Sequence, residues 1–351
     1  MRKAAMETLD SLQWVKGKQS IAFGEEFAQY CGAKHGTACQ SGSVALWAAL
    51  RLLGIGPGDE VIVPSLTYIA TATCVSLVGA TPIFADVDDQ YWCITPQTIE
   101  PHRTPRTKAI IAVHLFGQLA TPELVEYCQH HQLSYIEDAA QAHGASLNTD
   151  EVQMAGSFGD LACFSFFPSK NLAVGGEGGM IMTKRDDIVS RMKAIVNHGR
   201  DGTLESHEVG SNLRMSEVAA AIGRIQLQIL PQWIHRRQWI ASQYHEHFAS
   251  LDGCQPPSVR PHTQHAWHQY CLLVERPDEL REHLDQFGID SRVYYKKPCH
   301  RQSVFHNHPQ SNHHLEVTDS ICHRLVAIPI HHELTDGEVK HIINTIISFY
   351  H

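Results

Sequence analysis

The feature that most constrains this chain is an alternation that fills its first two-thirds, in which short β-branched apolar runs are separated by stretches with helical phasing. "GPGDEVIVP" reads as a turn feeding a strand over Glu60 to Val63 that Pro64 stops, and "TPIFADVD", "KAIIAVHLFG" and "LSYIEDAA" are three more buried-strand runs. "DLACFSFF" and "GGMIMTK" add two others. Between them, "SVALWAALRLLG" phases Leu46, Ala49, Leu50 and Leu53 onto one side with Gly54 placed to end the helix, and "TPELVEYCQHHQ" opens on a threonine–proline start signal. Strands parted in this way by helices predict a mostly parallel sheet with crossover helices, an α/β fold. The 351 residues suffice for two domains. After Leu230–Pro231 a long helix, "QWIHRRQWIASQYHEHF", leads into "HQYCLLVE", "DELREHLDQFGI" and "SRVYYKKP". The expected division is a large domain over 1–230 and a smaller C-terminal α+β domain over 231–351.

Composition removes several functions. The formal charge of −9 argues against general nucleic-acid binding. No apolar run reaches bilayer-spanning length, and the start "MRKAAMETLDSLQW" lacks the apolar core of a signal peptide. Ten cysteines without a C-x-x-C pair or framework spacing read as reduced thiols of a cytoplasmic chain. Among the 25 histidines, "HNHPQSNHH" gathers His306, His308, His313 and His314, but turn formers surround them and no helix-phased pair with a carboxylate is present. It reads as a solvated loop, and no metal is expected.

In "FSFFPSKNLAVGGEGGM" a single lysine, Lys170, precedes a run of glycines. A phosphate loop needs its glycines before the lysine, so that reading fails. A surface lysine, a charge clamp and a covalent amine nucleophile all stay open. A parallel sheet collects ligands outside the carboxyl ends of its strands, where Asp138, Gln141, Ser165 and Lys170 all fall. "QSGSVAL" sets Ser41, Gly42 and Ser43 before a helix, as a plain N-cap or as an anion cradle. Tyr68 follows a strand, either packed in the core or free to stack on a planar ring. A lysine that can be neutral, a carboxylate able to keep a pyridine nitrogen protonated and uncharged donors for a phosphate are what an electron-sink cofactor requires.

The order of these pieces is similar to that of the DegT/DnrJ/EryC1/StrS sugar aminotransferases, within the fold-type I pyridoxal-phosphate enzymes. The resemblance runs from "GEEFAQYCGAKHGTACQSGSVAL" through "YIEDAAQAHGA" and "GSFGDLACFSFFPSKNLAVGGEGGM" to "GSNLRMSEVAAAIGRIQL" and "IPIHHELTDGEV". It implies that Lys170 is the Schiff-base lysine and proton shuttle for pyridoxal 5'-phosphate, that Asp138 pairs with the pyridinium nitrogen, and that Gln141 lies near the ring oxygen. Tyr68 would stack on the ring, while Gly42, Ser43, Val44 and Ser165 would hold the phosphate. Asn212 would reach the phosphate of the neighbouring subunit, making the active form a homodimer with shared active sites. Burial beside Phe166 and Phe167 should lower the Lys170 pKa, and the nearby glycines should admit substrate backbone-close. Retention of Lys170, where a subset of the family has histidine and dehydrates, points to transamination.

Three departures bear on substrate placement. Phe167 stands where the family often has histidine or tyrosine, Ser211 and Leu213 replace aromatics, and the start lacks the family's leader strand. "RVYYKKPCH" resembles a segment of the sugar-nucleotide branch, so Tyr295 and His300 either line the substrate mouth or pack the small domain. Arg200, Arg214, Lys296 and Lys297 are candidates for a diphosphate. The expected substrates are glutamate and a nucleotide-linked keto-sugar, with a cyclitol aminotransferase using glutamine as the alternative. A DNA-binding regulator would need a basic face, and a metal hydrolase a zinc set; the chain offers neither pattern.

Overall fold

A computed structural model describes residues 1–351. Its main sheet has seven strands in the order β1-β9-β8-β5-β4-β2-β3. They are β1 (His35–Cys39), β2 (Glu60–Pro64), β3 (Thr81–Ala85), β4 (Thr107–Val113), β5 (Ser134–Asp138), β8 (Leu161–Ser165) and β9 (Gly179–Thr183). Neighbours from β3 across to β8 run parallel, and β9 alone is antiparallel to both β8 and β1. All five residues of β2 and of β9 are buried, because helices cover both faces and leave no solvent side on which polar residues could alternate. A short hairpin, β6 (Ser146–Asn148) with β7 (Val152–Met154), pairs with β11 (Thr263–Gln264).

Helices α1 (Arg2–Asp10) and α2 (Lys18–Cys31) precede the sheet, and α3 (Gly42–Leu52), α4 (Ala70–Leu77), the single turn α5 (Pro96–Ile99) and α6 (Glu123–His131) connect its strands. The helix α7 (Val189–Ile195) follows β9, and α8 (Glu217–Phe248) leads away from it. Gly54 adopts φ +75° just past α3, the backbone form for which glycine is suited at a helix end.

Pro231 lies inside α8, which runs unbroken through 230/231. Its first half buries Ala219, Ala220, Leu227, Leu230 and Ile234 with α2 and the sheet, while Ile240, Ala241, Tyr244 and Phe248 join a second core. One helix therefore serves both packing layers. The second core forms around β10 (Cys254–Gln255), β12 (Tyr270–Val274) and β13 (Leu325–Ile328), with α9 (Pro277–Gln286) and α11 (Asp336–Tyr350), while α10 (Glu316–Cys322) packs Ile321 and Cys322 into the main-sheet core. Along β12, Cys271 and Leu273 face the main-sheet core while Tyr270, Leu272 and Val274 face the second one, the period-2 alternation of a strand between two apolar layers. Thr335 and Glu338 close a capping box on α11. "SRVYYKKP" forms no strand beyond one bridge, Arg292 with Ala327.

Candidate active site

The parallel strands β2, β4, β5 and β8, with β1 beside them, all end on one side, and their ends open onto a cavity of about 480 Å³. Its wall brings together Gly42, Ser43, Tyr68, Asp138, Gln141, Ser165, Lys170 and Tyr295 from segments far apart in the chain. Lys170 follows β8 on a turn in which its N–H donates to the Phe167 carbonyl (2.8 Å). Burial lowers its pKa to about 8, against the opposing pull of the Asp138 carboxylate. Phe166 is core, and Phe167, 45% exposed, forms part of the wall.

Asp138 ends β5 and is buried, which raises its pKa; hydrogen bonds to Oδ2 from the Thr71 hydroxyl (2.8 Å) and to Oδ1 from the Ala140 N–H (3.3 Å) work against that, as does the charge of Lys170. Its carboxyl forms no ion pair with an arginine or histidine, so it remains open to a protonated ring nitrogen. Gln141 is orientated from both ends: its Oε1 accepts the Phe116 N–H at 2.7 Å and its Nε2 donates to the Tyr295 hydroxyl at 2.9 Å. Phe116 holds φ +58° in doing so, and its ring stacks on Tyr295 at 6.2 Å.

At the N-terminus of α3 the Ser41 side chain takes the Val44 N–H at 3.2 Å. Val44 is thereby turned from anion holder to capped residue, leaving the Gly42 and Ser43 N–H groups for a ligand. A Cβ on Gly42 would stand 2.7 Å from that of Ser165, so glycine is required where β8 meets the helix. Gly179 serves a different purpose from the expected one. A Cβ there would fall 2.3 Å from the Ser41 carbonyl, so it admits the α3 loop and not the substrate.

Besides Val44, the sequence candidates Arg200, Asn212, Arg214, Lys296, Lys297 and His300 lie off the cavity wall. Arg200 and Asn212 are exposed, and Arg214 donates to the Asn197 side chain at 2.8 Å. The segment around them lengthens the β1 edge through a Cys39–Arg214 bridge, and Leu213 packs on the main-sheet core. His300 is fully buried, its ring bonded to Ser65 Oγ at 2.6 Å and to the His313 carbonyl at 3.1 Å. With Cys299, whose N–H donates to the Ser65 carbonyl at 2.9 Å, it buttresses the loop that presents Tyr68. Sequence reasoning passed over Thr71, Thr67, Glu177, His268 and Gln269. Thr71 carried a usable signal, three residues after Tyr68 at the start of a helix; His268 and Gln269 come from the second layer and carried none.

A lysine with a lowered pKa and a buried carboxylate thus share one cavity with free helix N–H groups. Residues 1–347 match the DegT/DnrJ/EryC1/StrS aminotransferase family. The chain belongs to that family. The aminotransferase is 41% identical over 344 residues (98% of this chain, 92% of the other) to UDP-N-acetyl-3-dehydro-alpha-D-glucosamine 3-aminotransferase of Acidithiobacillus ferrooxidans. It is 37% identical, over 98% of this chain and 90% of the other, to dTDP-3-amino-3,4,6-trideoxy-alpha-D-glucose transaminase of Streptomyces venezuelae. The crystal structure of DesV from S. venezuelae, in complex with a ketimine intermediate, superposes with a TM-score of 0.96 at 36% identity, covering 99% of this chain and 94% of that one. The aminotransferase accordingly depends on pyridoxal phosphate and has the α/β fold of its family. The cavity fits that cofactor: a carboxylate for the ring nitrogen, an amine for the aldehyde and two unpaired N–H groups for the phosphate.

Proposed function

We propose that this chain is a nucleotide-sugar aminotransferase that takes an amino group from glutamate and delivers it to a keto-sugar in two half-reactions. The observation that carries the reading is Lys170, with its pKa near 8, sharing one cavity with the buried Asp138. The relatives support the substrate class, since those from A. ferrooxidans and S. venezuelae are named for UDP- and dTDP-linked sugars. A cyclitol acceptor with glutamine as donor has no such support.

Bound pyridoxal phosphate supplies an electron sink for the carbanion formed when a substrate Cα–H bond breaks. Lys170 would carry it covalently and, once released, move the proton, a role for an amine that is neutral for an appreciable minority of the time at physiological pH. Asp138 would hold a proton on the ring nitrogen, Gln141 would donate to the ring oxygen, and Tyr68 would cover the ring face. Gly42, Ser43 and Ser165 would bind the phosphate. Asn212, exposed and off its own cavity, would complete the site of a second copy, so the working form would be a homodimer with two shared sites. Arg200 and Arg214, on the same edge, would face the partner's sugar diphosphate. Ten free, buried thiols suit a reducing cytoplasm.

The test is visible absorption of the cofactor-loaded protein before and after glutamate, with borohydride reduction and peptide mapping. Bleaching by glutamate with the label on Lys170 is expected, and Lys170→Ala is expected to abolish both. Full turnover by Lys170→Ala would end the proposal.

A further inference from the structure

His268 is the one histidine on the cavity wall, and no part of the chemistry above uses it. The segment that carries it is tied to both halves of the site. The Ala266 carbonyl accepts the side chain of Asn171, the residue after Lys170, at 2.8 Å. The His268 N–H donates at 2.9 Å to the carbonyl of Phe116, whose own N–H fixes Gln141. The Trp267 carbonyl takes a hydrogen bond from Arg237 at 2.8 Å. The imidazole is thus delivered rigidly between the lysine and the ring-oxygen side of the cavity.

Its protonation state follows from its surroundings. Burial, with Lys170, Arg237 and His143 around it, pushes its pKa well below the usual histidine value. The ring is neutral and carries one N–H. Nδ1 is sealed from solvent and has no partner within the chain. A sealed N–H without an acceptor is the costlier of the two tautomers, so the proton belongs on Nε2, the nitrogen left to open onto the cavity. His268 therefore presents an uncharged donor with nothing in its own chain to receive it.

The part of the cavity wall that one chain supplies contains no arginine; its charged groups are Asp138, Lys170 and Glu177. A two-half-reaction enzyme must accept an amino-acid carboxylate and a sugar hydroxyl in turn at the same place. A fixed cation would suit the first and leave an unpaired buried charge against the second, whereas a neutral N–H serves both. We propose that His268 is a specificity-determining binding residue whose Nε2–H takes the oxygen on the carbon next to the reacting one, in the amino donor and in the sugar alike. This rests on the transaminase reading above, which the borohydride label on Lys170 tests separately.

The experiment measures each half-reaction in single turnover, as a function of substrate concentration, for wild type, His268→Phe and His268→Gln, all loaded with cofactor. His268→Phe keeps the planar bulk and loses the donor, while His268→Gln keeps an N–H. The expected result for His268→Phe is glutamate binding weakened about 10- to 100-fold, as for a charge-assisted bond, and keto-sugar binding weakened about 2- to 10-fold, as for a neutral one. The rate at saturation should change little in either case, and His268→Gln should bind both substrates within about threefold of wild type. Unchanged binding of both substrates by His268→Phe, an effect confined to one of them, or equal losses in the two variants would overturn the proposal. If His268→Phe does not fold, His268→Leu, which also lacks the donor, replaces it and is judged against His268→Gln by the same outcomes.

Discussion

At the residue scale, the cavity holds two buried groups whose pKa values are pushed in opposite directions, each toward its neutral form. Burial moves Lys170 down and Asp138 up, and each charge partly restores the other. In the cofactor-free protein the amine gains its neutral, nucleophilic form as pH rises through about 8, so competitive acylation of Lys170 should be half-maximal there. Because Asp138 holds the amine's pKa up, Asp138→Asn should move that midpoint lower still. A wild-type midpoint near 10.5, the ordinary lysine value, would contradict this placement of the amine. Thr71 donates to Asp138 from the first turn of α4, so Thr71→Val should raise the Asp138 pKa further. We expect cofactor retention to weaken about tenfold, the scale of one hydrogen bond to a charged acceptor, as equilibrium dialysis would show. Lys170, Asp138, Gln141 and Ser165 were legible in the sequence because a parallel sheet puts polar residues at the carboxyl ends of otherwise apolar runs. His300 stayed open in the sequence between the mouth and packing, because a segment does not reveal which side of a turn is sealed; its full burial decides for packing.

At the element scale, the N-terminus of α2 is held by a residue distant in sequence. Helix α2 has Gly17 at its N-cap and no side chain there to cap it. Glu217, from the first turn of α8, supplies the acceptor, receiving the Gln19 N–H at 2.7 Å and the Ser20 N–H at 3.3 Å. A Cβ at Gly17 would fall 2.5 Å from that carboxylate, so the glycine is what lets the two helices meet. Glu217→Ala should lower unfolding free energy by about 1–2 kcal/mol, the scale of a lost cap, in denaturant titration. An unchanged midpoint would mean that water replaces the carboxylate. Strands and helices themselves were readable from periodicity, yet α8 begins 14 residues before Pro231. A proline in a helical pattern reads as a boundary, whereas here packing on two cores carries the helix through it.

At the scale of the whole molecule, the proposed homodimer makes a complementation prediction. Lys170→Ala and Asn212→Ala would each disable a site, the first in its own cavity and the second in its partner's. Co-expressed in equal amounts, they should form mixed dimers with one intact site in each, recovering about a quarter of wild-type activity if subunits pair at random. Activity no greater than the sum of the separate variants would mean that Asn212 does not cross between subunits.

The sequence by itself determined the α/β layering and put Lys170 and Asp138 at the ligand end of the sheet, because both follow from local pattern: buried runs make parallel strands, and such strands end where ligands bind. Tertiary structure alone decided the rest. It sent His300 inward to brace the Tyr68 loop and brought His268 from the second layer to the cavity wall. Both depend on contacts between segments far apart in the chain, which leave no periodic trace in it.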